Sequence, residues 1–340
     1  MTQPVSRGLY TADNKSVKAW IKSGEPMIWA NAAAVSISLI AVVGLIALLA
    51  IRGFGHFWPA NVQSVQITYQ GQSRALLGEI VEQVEVSGEQ LRDAGIELQG
   101  STDFFLRSLM KQGNRDFLGN DFLWVIDEQL SDKTYPLDAM TVERLEWGNF
   151  YGYLRTVVVD GEVVADAAQD ESKAWDAFNQ LIAETASVRE DIEHLERTEI
   201  GKINYALESL RLEERSLELA NTLSVIEQAR LAEERAIFNA QYSELQKSLY
   251  ALYDSIANHS YTAELPDGRV VTLPLAKVVR AFRTNSMSVP DKIVMYFEKL
   301  VEFLTEQPRE ANTEGGVFPA IFGTVMMVLL MAIMVTPFGV

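Results

Sequence analysis

Cysteine is absent from this 340-residue chain, and histidine occurs three times, at His56, His194 and His259. Without a thiol there is no disulfide framework, no thiolate nucleophile and no cysteine zinc site. No two histidines fall at a metal-ligand spacing such as HExxH. Basic residues are scarce as well: 29 Lys and Arg face 46 Asp and Glu, a formal net charge of −17. So acidic a balance argues against nucleic acid as a partner, because phosphates are held by Lys and Arg. The pattern GxxxxGK[ST] does not occur, so the chain has no ATP site of that kind. No nucleophile–base pair or carboxylate dyad stands out, and no catalytic, cofactor-binding or metal-ligating residue is assigned. These absences point away from an enzyme.

What is present is unevenly distributed. Mean hydropathy is +0.03, yet two long runs carry no charge. The first, Ile28–Ile51, reads IWANAAAVSISLIAVVGLIALLAI. At about 1.5 Å per residue it covers the roughly 30 Å hydrocarbon core with some tilt. A cleaved signal peptide would have a shorter apolar region, about 7–15 residues. The second run extends from Gly315 to Val340, with Val317–Val335 as its core. Pro319 near its start costs no hydrogen bond, and Thr336-Pro337-Phe338-Gly339 is expected to end or kink it. No basic or polar tail follows, and the expectation is a fragment of a longer membrane protein.

Orientation follows from the distribution of charge. Residues 1–27 hold Arg7, Lys15, Lys18 and Lys22 against Asp13 and Glu25; all other charged residues lie in 52–314, where 25 basic face 44 acidic, a balance of −19. The positive-inside rule places the N-terminus in the cytoplasm and residues 52–314 outside, in the bacterial periplasm.

The loop between the runs divides by pattern. Residues 62–69 alternate as VQSVQITY, a half-buried strand, with 75–86 as its continuation. Phe122–Asp127 is a short strand, and Thr156–Asp166 is a hairpin turning at Asp160-Gly161. A mixed α/β subdomain is expected over 52–169, with Trp124, Trp147, Phe150, Tyr151 and Tyr153 in its core. Residues 170–258 lack proline and have one glycine, Gly201. Phe238, Tyr242, Leu245, Leu249, Leu252 and Ile256 step by four and three, as a coiled-coil seam requires. One long helix or a hairpin folding back near Gly201 or Asn221 both fit, with the hairpin preferred. Over 259–314 a second hairpin turns at Pro266-Asp267-Gly268, and Pro290 opens an amphipathic helix that faces either the membrane surface or the loop's core. Lys277, Arg280 and Arg283 form the densest basic patch, a solvated face more readily than an anion site.

The segment 306–340 resembles the first core helix of phosphate ABC-transporter permeases of the PstA type. The residues that carry the resemblance are Glu314-Gly315-Gly316, Phe318-Pro319, Gly323-Thr324 and Thr336-Pro337-x-Gly339. The resemblance implies a MetI-like membrane permease subunit of an ATP-driven inorganic phosphate importer, without cofactor. Its partners would be a second permease subunit, a cytoplasmic ATPase subunit, a periplasmic phosphate-binding protein and membrane lipid. The fold then expected is an integral membrane α-helical protein. It has spans at 28–51 and 315–340 and a large extracytoplasmic α/β plus long-helix domain. A two-span polysaccharide chain-length regulator is the competing class, and a periplasmic sensor the third.

Overall fold

The computed structural model describes residues 23–69, 72–93, 95–96, 103–309 and 315–339, and the chain forms two compact units, Met1–Trp58 and Pro59–Val340. Among its described residues the first unit is one helix, α1 (Glu25–Gly55), with a proline in its first turn. Its apolar stretch Pro26–Gly55 has none of its most hydrophobic window buried. Leu, Ile, Val and Ala on every side leave no polar face to turn toward water.

The second unit opens with a five-stranded antiparallel sheet. Its strands are β1 (Val62–Tyr69), β2 (Gln72–Ser87), β3 (Phe104–Lys111), β4 (Phe122–Ile126) and β5 (Leu130–Thr134), with the short helices α2 (Gly88–Asp93) and α3 (Arg115–Leu118) between them. The strand order is β4-β3-β2-β1-β5. Edge strands of a flat sheet of this order would lie about 19 Å apart. The four Cα steps across the 3₁₀ turn Asp127–Gln129 span at most about 14 Å. The sheet therefore curls until its edges approach, around a core of Val65, Leu76, Met110 and Val125.

The same connectivity is used again. The strands β6 (Met140–Arg144), β7 (Phe150–Val159), β9 (Ser260–Glu264), β10 (Val270–Pro274) and β11 (Val278–Phe282) take the order β10-β9-β7-β6-β11, and β8 (Glu162–Asp166) pairs with β7. A 3₁₀ turn, Leu275–Lys277, again joins the two edges. Even the bend recurs. A Cβ at Gly78 in β2 would lie 2.2 Å from the Lys111 oxygen at the end of β3, and one at Gly152 in β7 would lie 2.7 Å from the Glu264 oxygen at the end of β9. Each second strand thus carries glycine where a neighbouring backbone comes too close for a side chain. The two sheets meet over Val62, Leu77, Ala139 and Tyr151. Asn285 bonds both backbone groups of Val62, and Asn114 both those of Tyr151.

Residues 59–169 are thus predominantly β rather than mixed α/β. Alternation within β3, β5 and β6 is too weak to read as strand from sequence. Of the aromatics expected inside, Phe150 and Tyr151 are fully buried and Tyr153 half-buried. Trp124 and Trp147 instead lie at the surface, 38% and 46% exposed. Trp124 is covered on one face by the Arg107 guanidinium, 4.6 Å from its ring centre, a cation–π contact that suits an exposed indole.

Between β8 and β9 the chain leaves the sheet as a helical hairpin. Helix α4 (Glu171–His194) is capped by Asp170 and packs Ala174, Phe178, Leu181 and Ile182 on the second sheet's core. A π turn, Leu195–Ile200, leads into α5 (Gly201–Leu219). Asn221, at φ 54°, reverses the chain, and Ser224 caps α6 (Val225–Ala257). The fold-back is therefore at Asn221, a residue that tolerates left-handed backbone. Arg235 pairs with Glu214 at 2.7 Å, Arg230 with Glu213, and the Tyr253 hydroxyl donates to Glu196 at 2.9 Å, all between the antiparallel arms. Phe238, Tyr242, Leu245, Leu249, Leu252 and Ile256 are each half-buried or buried in α6. Leu231 is 1% exposed. Leu231→Ala should cost about 2–4 kcal/mol by leaving a cavity between the arms. Thermal unfolding in detergent, followed by helical circular dichroism, would register the loss; an unchanged melting temperature would mean that the arms do not pack there.

Last come α7 (Val289–Thr305), with a capping box of Ser288 and Asp291, and α8 (Phe318–Gly339). The stretch Phe318–Thr336 is the second helix long and apolar enough to cross a membrane, again with none of its window buried. The helix runs through Thr336 to Gly339, the last of the four residues expected to end or kink it.

Candidate functional site

The densest chemistry in the second unit lies where α7 rests on the sheet and hands the chain to α8. Strand β6 is buried at every residue, yet it contains Glu143. Its carboxylate is 9% exposed and meets Arg280 of β11 at 2.7 Å, Lys299 of α7 at 3.0 Å and Arg309 at 3.7 Å. Glu302 of α7 joins Arg280 and Arg309 from the other side. Burial alone would push the Glu143 carboxyl up, but Lys299 and Arg280 outweigh it and hold it down to about 2. Nearby Glu79 is raised instead, because its burial outweighs Lys111 and Lys299. A buried carboxylate with three cations around it fixes geometry rather than performing chemistry: every charge already has its counter-charge.

This accounts for the basic patch. Arg280 belongs to the Glu143–Glu302 network. Lys277 pairs with Glu146 at 2.6 Å. Arg283 pairs with Glu171 at 2.8 Å and lies 4.2 Å over the Trp175 ring. All three cations are already matched by carboxylates, which disfavours an anion site there. Among the described residues no group of three or more His, Asp or Glu is arranged to hold a metal ion.

The residues after the network are those singled out in the sequence. Pro308 and Gly315 form an isolated antiparallel bridge. The Gly316 N–H donates to the Gln307 oxygen at 3.2 Å and the Val317 N–H to the Phe303 oxygen at 2.8 Å. Gly315 has φ +89°, and a Cβ at Gly316 would lie 2.2 Å from the Glu306 oxygen. The glycine pair folds the entry of α8 onto the last turn of α7. Phe318 stacks on Phe322 at 6.0 Å, and Pro319 sits in the helix's first turn. Gly323 has open space around it. The hydroxyls of Thr324 and Thr336 are spent inside the helix, on Ala320 and Ala332 carbonyls at 2.7 and 2.5 Å. Pro337 and Gly339 belong to the helix's last turn. Glu314 lies outside the described residues.

Glu143, Glu302 and Arg309 carry the geometry of this region and were not singled out in the sequence. The signal was faint: one acidic residue in an otherwise closed strand, with partners well over a hundred residues away. No protein-family model, curated protein or solved structure matches the chain.

Proposed function

We propose that the chain is a membrane permease subunit of an ATP-driven phosphate importer, with α1 and α8 crossing a bacterial inner membrane. In this reading the N-terminus is cytoplasmic and residues 52–314 periplasmic. The second permease subunit packs against α8, the cytoplasmic ATPase supplies the drive, and the periplasmic phosphate-binding protein delivers the anion. The helical hairpin α4–α6, packed as a coiled coil, is then an extracytoplasmic docking arm. The observation that carries the reading is the α7–α8 junction. There Gly315-Gly316, two of the residues that carry the resemblance, are required by backbone contacts. They lead into a helix in which a Cβ at Gly323 would find no atom within 4 Å among the described residues. Small residues of this kind let membrane helices approach one another.

In cells whose phosphate uptake depends on this chain, Gly323→Leu should abolish most uptake and co-purification of the partner permease. Met331→Leu, which keeps volume and apolarity, should leave both intact. Normal uptake and pairing in Gly323→Leu would remove the permease assignment. The long exposed hairpin between two apolar helices favours one second reading, a polysaccharide chain-length regulator. Unchanged phosphate uptake with altered polymer length in a strain lacking the chain would select it.

A further inference from the structure

Helix α7 has two unlike faces. Met295, 4% exposed, lies on the face that also carries Lys299 and Glu302, and this face is held on the sheet by the ion network. The Lys299 ammonium sits 4.9 Å over the Phe282 ring, which further fixes the helix about its own axis. At 3.6 residues per turn, Val289, Ile293, Val294, Phe297, Val301 and Leu304 fall within about 140° of arc on the opposite side. These six are 43–64% exposed. No charged residue interrupts that arc, which runs about 22 Å along the helix.

We propose that this stripe is seated in the lipid headgroup–acyl boundary, so that α7 lies along the membrane surface on the side from which α8 enters. The inference rests on the membrane-span part of the reading above and not on its phosphate part. Continuity selects lipid as the occupant. The Val317 N–H bonds the Phe303 oxygen, and the Pro308–Gly315 bridge closes the intervening loop. The first turn of α8 is therefore tied to the last turn of α7. A helix entering the hydrocarbon at Phe318 brings Leu304 and Val301 to the interface. An amphipathic helix moored there buries its apolar face about 5–10 Å into the boundary. The buried ion network holds the polar side of α7 up against the sheet, so the second unit stands on the bilayer with fixed orientation rather than swinging on a single span.

Because the chain has no cysteine, single-cysteine variants carry one label each. Phe297→Cys, Val301→Cys, Leu329→Cys within α8 and Glu233→Cys on α6 are labelled with an environment-sensitive fluorophore. Each is reconstituted as the full chain into phosphatidylcholine–phosphatidylglycerol vesicles that carry nitroxides at shallow or deep acyl positions. Emission at 297 and 301 should be lost mainly to the shallow nitroxide, emission at 329 mainly to the deep one, and emission at 233 to neither. Agreement between 297 and 301 makes the result independent of either substitution. Unquenched emission at 297 and 301 beside a quenched 329 overturns the proposal and leaves α8 as a span. The same holds if labels at 297 and 301 are shielded from aqueous quencher yet insensitive to lipid nitroxides, which would mean a protein occupant. Absence of quenching at 329 overturns the span and the proposal together.

Discussion

Glu143→Ala should lower the unfolding free energy by about 3–5 kcal/mol, the usual cost of removing one partner from a buried charge network. Arg280, Lys299 and Arg309 would be left facing one another across a strand with no exposed residue, balanced only by Glu302 and, at Arg309, by the exposed Glu306. The pH dependence separates this electrostatic origin from simple loss of volume. The folded carboxyl is held at about 2 against 4.5 when unconstrained. It therefore binds its proton more weakly in the folded chain, and the stabilisation is complete above pH 4.5. It drains as the pH falls from 4.5 toward 2, by on the order of 3 kcal/mol. Glu79 acts in the opposite sense. Its folded carboxyl binds the proton more tightly, so its ionisation costs stability above pH 4.5 and acid relieves that cost. Unfolding in detergent across pH 2–7 should show a steep acid limb for the native chain and a flat one for Glu143→Gln. A Glu143→Gln limb as steep as the native one would assign the acid sensitivity to other groups.

Gly316→Val should cost about 3 kcal/mol, the upper end of the range for forced overpacking. The atoms a side chain would strike are backbone: the Glu306 oxygen at 2.2 Å, its carbon at 2.6 Å and the Glu302 oxygen at 2.8 Å. Relief would require breaking the Gly316–Gln307 or Val317–Phe303 hydrogen bond, which frees α8 from α7. Gly323→Ala, in open space on the same helix, should change stability by less than about 0.5 kcal/mol. Detergent-phase melting of the two variants side by side tests the contrast. Equal melting temperatures would mean that the α7–α8 junction is not a fixed joint. If Gly316→Val alone is unstable and also loses its shallow-lipid contacts along α7, the junction is what holds that helix at the membrane surface.

Several elements were legible because their causes are local. The two apolar helices follow from uninterrupted runs. The turns at Asp160-Gly161 and Pro266-Asp267-Gly268 announce their hairpins through residues that accept left-handed backbone. Ser224 caps α6 by accepting from the Glu227 N–H, a local start signal that agrees with the fold-back at Asn221. Strands β5 and β11 are five residues each, too short for their residues LSDKT and VVRAF to show a clear alternation. Trp124 and Trp147 misled because aromatic character reports buried area available, not buried area used.

The sequence by itself determined where the chain is too apolar for water, where its acidic residues concentrate, and which segments turn. Each of those is a property of neighbours along the chain. Only the tertiary structure decided that one curled-sheet topology is used twice, with the helical hairpin inserted into its second copy. It alone decided that Glu143, Arg280, Lys299, Glu302 and Arg309 converge, and that Gly316 is pressed against the last turn of α7. These depend on contacts between residues far apart in sequence. Their Coulomb and close-packing terms act over a few ångströms in space, and linear spacing carries no record of them.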